Sequence, residues 1–309
     1  MTKLLHMLFV APLSRMPYVV LYGLADFVAV LLWISGYRKK VVQANIDRIF
    51  PDKSASWRRD VVRGFYRHLT SVMVESVRNF RASEQELLER MHHLNPEVLL
   101  PFADLPQGVL LACGHYGNWE RYAVTSGRAV PMPVMGVYKR LSNDFYEKKI
   151  LETRGRMGLE LVKTGDVKAW MQNTGGAGRS VRGAVILAVD QRPTDPRKGW
   201  WTQWLGQETP MHYGLEIYAR KHNMPVCFFA LHPVKGKPRG YWEVRYEMIT
   251  DAPRDWPEGA LLQAANARIE AQIEVDPKYW LWSHKRWKHQ RPADMTLHAP
   301  LNFVEKADV

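Results

Sequence analysis

The 309-residue chain has only two cysteines, Cys113 and Cys227. Both sit in apolar runs that read as buried strands, which excludes a disulfide framework and fits a reducing compartment. No G-x-S-x-G elbow occurs, so a serine esterase lacks its usual nucleophile. His92, His93 and His212 do not make a metal-ligand spacing. Internal repeats and a clear linker are missing as well. The glycine-rich stretch NTGGAGRSVRG, 173–183, reads as a loop and is too irregular for a phosphate-cradling motif. Acidic residues are scarce: 31 Asp+Glu stand against 43 Lys+Arg, a formal charge of +12. That balance favours anionic partners, whether nucleic acid, acidic head groups, phosphorylated substrates or an acidic carrier protein. Disorder is excluded by a hydrophobic content of 46%.

Aromatic residues, by contrast, are plentiful, with 12 Trp and 13 Tyr. Trp200, Trp201 and Trp204 follow Arg197 and Lys198, and Tyr279, Trp280, Trp282 and Trp287 stand beside Lys285, Arg286 and Lys288. Rings next to cations suit a membrane interface, ordinary packing or single-stranded nucleic acid. The N-terminus weighs on that choice. YVVLYGLADFVAVLLWI, residues 18–34, carries one charge, Asp26. As a helix it spans ~26 Å, just short of a ~30 Å hydrocarbon core, and the apolar stretch 4–13 lies upstream. Tyr37, Arg38, Lys39 and Lys40 follow at once, which places that end on the cytoplasmic side. No small-x-small cleavage site follows the apolar core, which argues against a signal peptide. A buried core helix is the alternative, since Asp26 is costly in lipid unless paired. The expectation is membrane insertion, spanning or interfacial, and it leaves nucleic acid a poor explanation for the charge.

Helical spacing of Val41, Val42, Ile46 and Ile49, then of Val61, Val62, Phe65, Tyr66, Leu69, Val72 and Met73, predicts two amphipathic helices that part at Pro51 and Asp52. A third, over 83–93, opens on the capping box Ser83 to Glu86. From about residue 96 the pattern alternates. Strands are predicted at 109–113, 133–137, 159–162, 184–189, 226–231 and 242–247, with helices at 118–127, 143–157, 165–173, 210–222 and 258–275. Such alternation argues for an α/β fold with a mostly parallel, covered sheet, its last two strands forming an antiparallel edge hairpin.

The first of these strands runs straight into GHYGNWE, 114–120. A histidine between the end of a buried strand and a helix whose N-cap is Asn118 lies where open α/β sheets bind ligands. Imidazole exchanges a proton near neutral pH and becomes a good base when a carboxylate orients one nitrogen. Five positions across a turn can bring Glu120 back towards His115, leaving the other nitrogen free to deprotonate an alcohol. Gly114 and Gly117 let the backbone bend. A structural histidine with a solvated glutamate is the plain alternative. Cys113 shares a strand face with His115, so a covalent acyl-cysteine is a competing mechanism, although a small apolar strand residue is the favoured reading.

H-x-x-x-x-E after an apolar strand resembles the signature of the lysophospholipid acyltransferase superfamily. HYGNWE is similar to its lipid A biosynthesis acyltransferases, the lauroyl/myristoyl transferases of Gram-negative bacteria. Further blocks agree in order: GYRKKVVQANI, VYKRLSN at 137–143, RGRMG at 154–158, VDQRP at 189–193, WLGQETPMHYG at 204–214 and PKYWLWSHKRWK at 277–288. The resemblance implies a glycerol-3-phosphate acyltransferase-like three-layer sandwich at 96–309, preceded by a membrane anchor helix at 1–37 and an amphipathic helical segment at 38–95. It implies acyl transfer from an acyl-acyl carrier protein to a hydroxyl of a lipid A precursor, a membrane glycolipid, at the cytoplasmic side of the cell inner membrane, with no metal or organic cofactor. His115 would be the general base and Glu120 its partner. Asn118, Tyr138, Lys139, Arg140, Arg154 and Asp190 would face the substrate, with Arg154 holding a phosphate or an oxyanion and Asp190 placed to pair with it. Acylation of another bacterial lipid, a coenzyme A donor, and a non-enzymatic scaffold for anionic lipid stand as alternatives.

Overall fold

The computed structural model describes residues 2–173 and 183–301, so the glycine-rich stretch 174–182 lies outside the described residues. The chain opens with α1 (Thr2–Leu5), a π-helical turn (His6–Val10) and α2 (Ala11–Leu13), then α3 (Tyr18–Ile34), which spans the apolar run read from the sequence. Among the described residues no single helix is long and apolar enough to cross a membrane, and the two N-terminal arms bend by 119°. Instead, Leu21, Ala25 and Ala29, four residues apart on one face of α3, are buried against the protein. Asp26 is paired on the same side, with Arg67 at 3.0 Å and Arg239 at 2.6 Å. Val19, Phe27, Val30 and Ile34 face outward, at least half exposed.

α4 (Lys39–Ile49) and α5 (Ala55–Arg78) part at Pro51 and Asp52 as expected. Ser54 caps α5, and the Ser83 hydroxyl caps α6 (Glu84–Arg90) by accepting from the Glu86 amide. The helix predicted over 83–93 stops there. Met91–His93 form β1, parallel to the strand at Trp242–Thr250. That outer strand would otherwise present an unpaired edge, and β1 supplies the missing partner.

The rest alternates: β2 (Val109–Cys113), α7 (Trp119–Ala129), β3 (Val134–Tyr138), α8 (Asp144–Gly155), β4 (Leu159–Lys163), α9 (Val167–Asn173), β5 (Ala184–Ala188), β6 (Gly199–Trp204), β7 (Gln207–His212), α10 (Gly214–His222), β8 (Val226–Pro233), β9 (Trp242–Thr250) and α11 (Ala260–Val275). Seven strands make one sheet in the order β1-β9-β8-β2-β5-β3-β4. Every pair is parallel except the β8–β9 hairpin, and β1 moves that hairpin in from the edge. β2 is central and every residue in it is buried. Leu110 and Ala112 meet α11 through Leu261 and Ile269, and the same cluster takes in Val42, Ile46 and Phe65 of α4 and α5. Val109, Leu111 and Cys113 join the opposite cluster with Tyr122 of α7 and Phe229. Burial on both faces is why this strand reads as an unbroken apolar run, and each such aliphatic side chain stabilises the fold by about 1.5–3 kcal/mol.

The helix predicted at 210–222 begins only at Gly214, because 199–212 form a separate antiparallel hairpin. Leu205 and Gly206 both have positive φ, 50° and 68°, the geometry that matches the twist of paired strands in a two-residue turn. The aromatic clusters turn out to be interior packing. Trp201, Trp204, Trp280 and Trp282 are buried, and Trp204 donates to the Asn266 carbonyl at 2.9 Å. Arg286, also fully buried, stands over the Trp204 ring and donates to the Pro210 carbonyl.

Candidate active site

β2 delivers His115 to the carboxyl edge of the sheet. Gly117 is required by backbone and space, and Gly114 sits tightly. A β-carbon on Gly114 would come 3.0 Å from Ile269, and one on Gly117, at φ +62°, would lie 2.8 Å from the Trp242 ring. The C-terminal segment holds the turn from outside: the Leu281 amide donates to the His115 carbonyl, and the Gly117 amide to that of Tyr279, each at 3.1 Å.

The imidazole partner is Asp190, not Glu120. His115 Nδ1 lies 2.8 Å from Asp190 Oδ1, while the His115 amide donates to Oδ2 at 2.7 Å. Trp280 Nε1 donates to the same Oδ2 at 2.8 Å. Sheet register explains the pairing. Cys113 stands opposite Ala188 in the parallel β2–β5 pair, so the residues two beyond each strand end, His115 and Asp190, also meet. Burial alone would raise the Asp190 pKa, but the His115 charge and three hydrogen bonds outweigh it and hold the carboxyl at about 2. For His115 burial acts downward, yet Asp190, with a smaller push from Glu120, leaves the imidazole above its ordinary 6.5. An aspartate that binds Nδ1 leaves Nε2 as the nitrogen able to exchange a proton with another group. The Gln191 side-chain amide, which sequence reasoning passed over, lies 3.2 Å from Nε2, and the Trp119 ring stands edge-on to the imidazole.

Glu120 occupies the first turn of α7, whose start at Trp119 carries its side chain towards α8. There Arg154 grips it in a fork, through Nη2 at 2.7 and 2.8 Å and Nε at 3.2 Å. The two pairings expected from the sequence are therefore exchanged: Glu120 binds Arg154 and Asp190 binds His115. His115, Glu120 and Arg154 nevertheless line one cavity of about 260 Å³. Its inner wall is apolar, with Leu159, Leu161 and Phe229, and Tyr138 and Lys139 also line it. The Tyr138 hydroxyl donates to Glu147 at 2.9 Å, and Glu147 in turn accepts from the Leu141 amide. Arg140 stays outside, paired with Asp144 at 2.7 Å on the surface.

Asn118 also lies outside the cavity. It is fully buried. Its oxygen caps α7 by accepting from the Arg121 amide, and its nitrogen donates to Glu75. Glu75 and Arg121, both buried, stand 3.3 Å apart. Arg121 reaches on to the Gly240 carbonyl and the Tyr18 hydroxyl, while Tyr22 donates to Glu75 at 2.9 Å. This network ties α3, α5 and α7 together behind the turn, and no local motif announces it.

Cys113 lines the cavity, but its Sγ points to the Leu187 carbonyl at 3.8 Å. Burial and the nearby Asp190 push the thiol well above its usual pKa. With His115 Nδ1 already taken by Asp190, the arrangement disfavours Cys113 as a nucleophile. No curated protein matches the chain. Residues 1–289 match the model of the bacterial lipid A biosynthesis acyltransferase family.

Proposed function

The chain belongs to the bacterial lipid A biosynthesis acyltransferase family, and from that premise we propose that it moves a fatty acyl group from an acyl-acyl carrier protein to a hydroxyl of a lipid A precursor, with His115 as general base. The observation that carries this reading is the His115–Asp190 pair, 2.8 Å apart at Nδ1, on a cavity whose inner wall is apolar. Nε2 takes the hydroxyl proton as the alkoxide oxygen bonds to the thioester carbonyl carbon. The tetrahedral oxyanion collapses, the C–S bond breaks, and the imidazolium returns its proton to the leaving thiolate. Asp190 steadies the imidazolium between those steps.

Glu120 then acts through Arg154. The carboxylate fixes Nε and Nη2 of the guanidinium, and Nη1 is left for a substrate oxygen, whether the developing oxyanion or a phosphate. Lys139 adds a second cation at the cavity wall. The basic surface draws an acidic carrier protein and a phosphorylated lipid alike, so turnover weakens with salt.

The outward apolar face of α3, with Val19, Phe27, Val30 and Ile34 exposed and the basic residues Arg38, Lys39 and Lys40 at its end, suits an interfacial position on the inner membrane with the sheet domain on the cytoplasmic side. Val30→Asp with Phe27→Asp tests this by flotation with anionic vesicles: loss of flotation is expected, and unchanged flotation rejects the placement. For the reaction, mass spectrometry of lipid A from cells with wild-type protein, His115→Ala or no protein decides. An acyl chain that depends on His115 is the expected result; identical lipid A in all three would exclude this acceptor.

A further inference from the structure

Leu69, Val72, Met73 and Val77 fall three and four residues apart on α5, on one face of that helix. With Val10 and Ile150 they wall a second cavity, of about 390 Å³ and predominantly apolar. Trp119, Glu120, Ile150 and Arg154 line both this groove and the His115 cavity. The two hollows therefore stand back to back across the Glu120–Arg154 ion pair. Their surroundings differ. The His115 cavity runs inward between the sheet and α7, to Leu159, Leu161 and Phe229. The groove reaches Met73, about half exposed, and Val10, next to the outward-facing Met7, Leu8 and Phe9.

Acyl transfer onto a lipid, as proposed above, brings two hydrocarbon chains to one imidazole. The chains are chemically alike, so walls rather than polar contacts have to keep them apart. The geometry points to a division of labour: the α5 groove holds a hydrocarbon chain of the lipid acceptor, and the His115 cavity takes the acyl chain of the donor. A lipid in the bilayer would enter from the apolar N-terminal surface, which Val10 joins to the groove. A chain presented by a soluble donor is the one that needs a closed apolar sleeve. Glu120–Arg154 is then the partition at which the two head groups meet, and its two charges stop either chain from sliding across, since a hydrocarbon gains nothing by displacing a fixed ion pair.

The test fills the groove in the full-length protein with Met73→Trp and, separately, Val77→Trp; Met73 is exposed enough to accept the ring without refolding the helix. Acyl transfer is measured in mixed micelles with donor and acceptor varied in turn, using a long-chain phosphorylated disaccharide lipid and its short-chain analogue. The acceptor KM should rise about tenfold, the loss from two methylenes left unburied, while the donor KM stays within about twofold. The short-chain analogue should erase the difference between variant and wild type, which damage to the fold would not allow. A rise in donor KM, or no change in either, overturns the assignment. A second arm needs no turnover. A membrane phospholipid with a photoreactive tail is crosslinked to His115→Ala protein in vesicles. Adducts on residues 69–77 support the groove, and adducts on β3 and β4 in their place reject it. Adducts on α5 in a protein whose wild type transfers no acyl group would count against the reaction, not against the groove.

Discussion

Asp190 and Glu75 are both buried carboxylates that bind the same turn, one on each side of it. Asp190 accepts from the His115 amide and meets the His115 ring. Glu75 accepts from Asn118 and pairs with Arg121. What separates them is the far side of their partners. Asn118 and Arg121 are fully enclosed, whereas the His115 side chain keeps 23% of its surface on the cavity. A carboxylate whose partner is walled in can only hold position. One whose partner has an open face can alter that partner's proton affinity where a substrate will feel it. The turn is thus clamped from behind by one pair and, on the proposed function, made reactive in front by the other.

This contrast predicts that the two pairs fail in different ways. His115→Ala should lower the transfer rate about 10²–10⁴-fold, as expected for removing a general base, with a melting temperature lowered less than by the loss of Glu75, because Asp190 keeps its bonds from the residue-115 amide and Trp280; a loss below tenfold would remove His115 from the chemistry. Glu75→Ala leaves Arg121 as an uncompensated buried charge and should cost about 3–5 kcal/mol of stability. Thermal or urea melts read that loss, and the protein that remains folded should turn over normally. A variant that is fully stable yet inactive would erase the distinction drawn between the pairs.

Asp190→Asn should cost less stability than Glu75→Ala, with kcat down by as much as about 10⁴-fold and a displaced pH profile. Only neutral imidazole is a base, so the rate climbs as pH rises through the folded pKa of His115, which lies above 6.5. Without the Asp190 charge, burial is left to push that pKa down, so the acidic limb moves to lower pH even as the plateau falls. A limb that stays in place would mean that another group sets it. Arg154→Lys keeps the charge but not the fork and should lose about tenfold, mostly in KM. Cys113→Ser should change turnover by less than about twofold, since the thiol is buried and held high; a trapped acyl-cysteine would reverse that.

Much of the frame was legible in the residues. The apolar run 109–113, the cap at Asn118, the break at Pro51 and the alternation of strands and helices all follow from local periodicity and turn chemistry, and each element stands within a few residues of its expected place. Three features were misread or left open for one reason. Met91–His93 looked like the end of a helix, but pair with a strand about 150 residues away. Neither strand of the hairpin at 199–212 was expected, and the helix predicted at 210–222 overlapped the end of the second, although Gly206 in a two-residue turn was a usable sign. Trp280, one of a cluster left open between a membrane interface and ordinary packing, donates to Asp190 from the interior. Each is settled by what packs alongside, and periodicity along the chain does not encode that.

The sequence by itself determined that a base-capable histidine ends a buried strand at the edge of a covered sheet, because strand burial, glycine freedom and helix capping are short-range effects. Tertiary structure alone decided which acid serves it. Glu120, five residues on, is carried off by α7 to Arg154, and Asp190, 75 residues away, arrives because β5 lies parallel to β2 in a register that sets one two residues past its strand end beside the other. A proton is shared over about 3 Å of space, and neighbours at that distance are chosen by sheet order rather than by position in the chain.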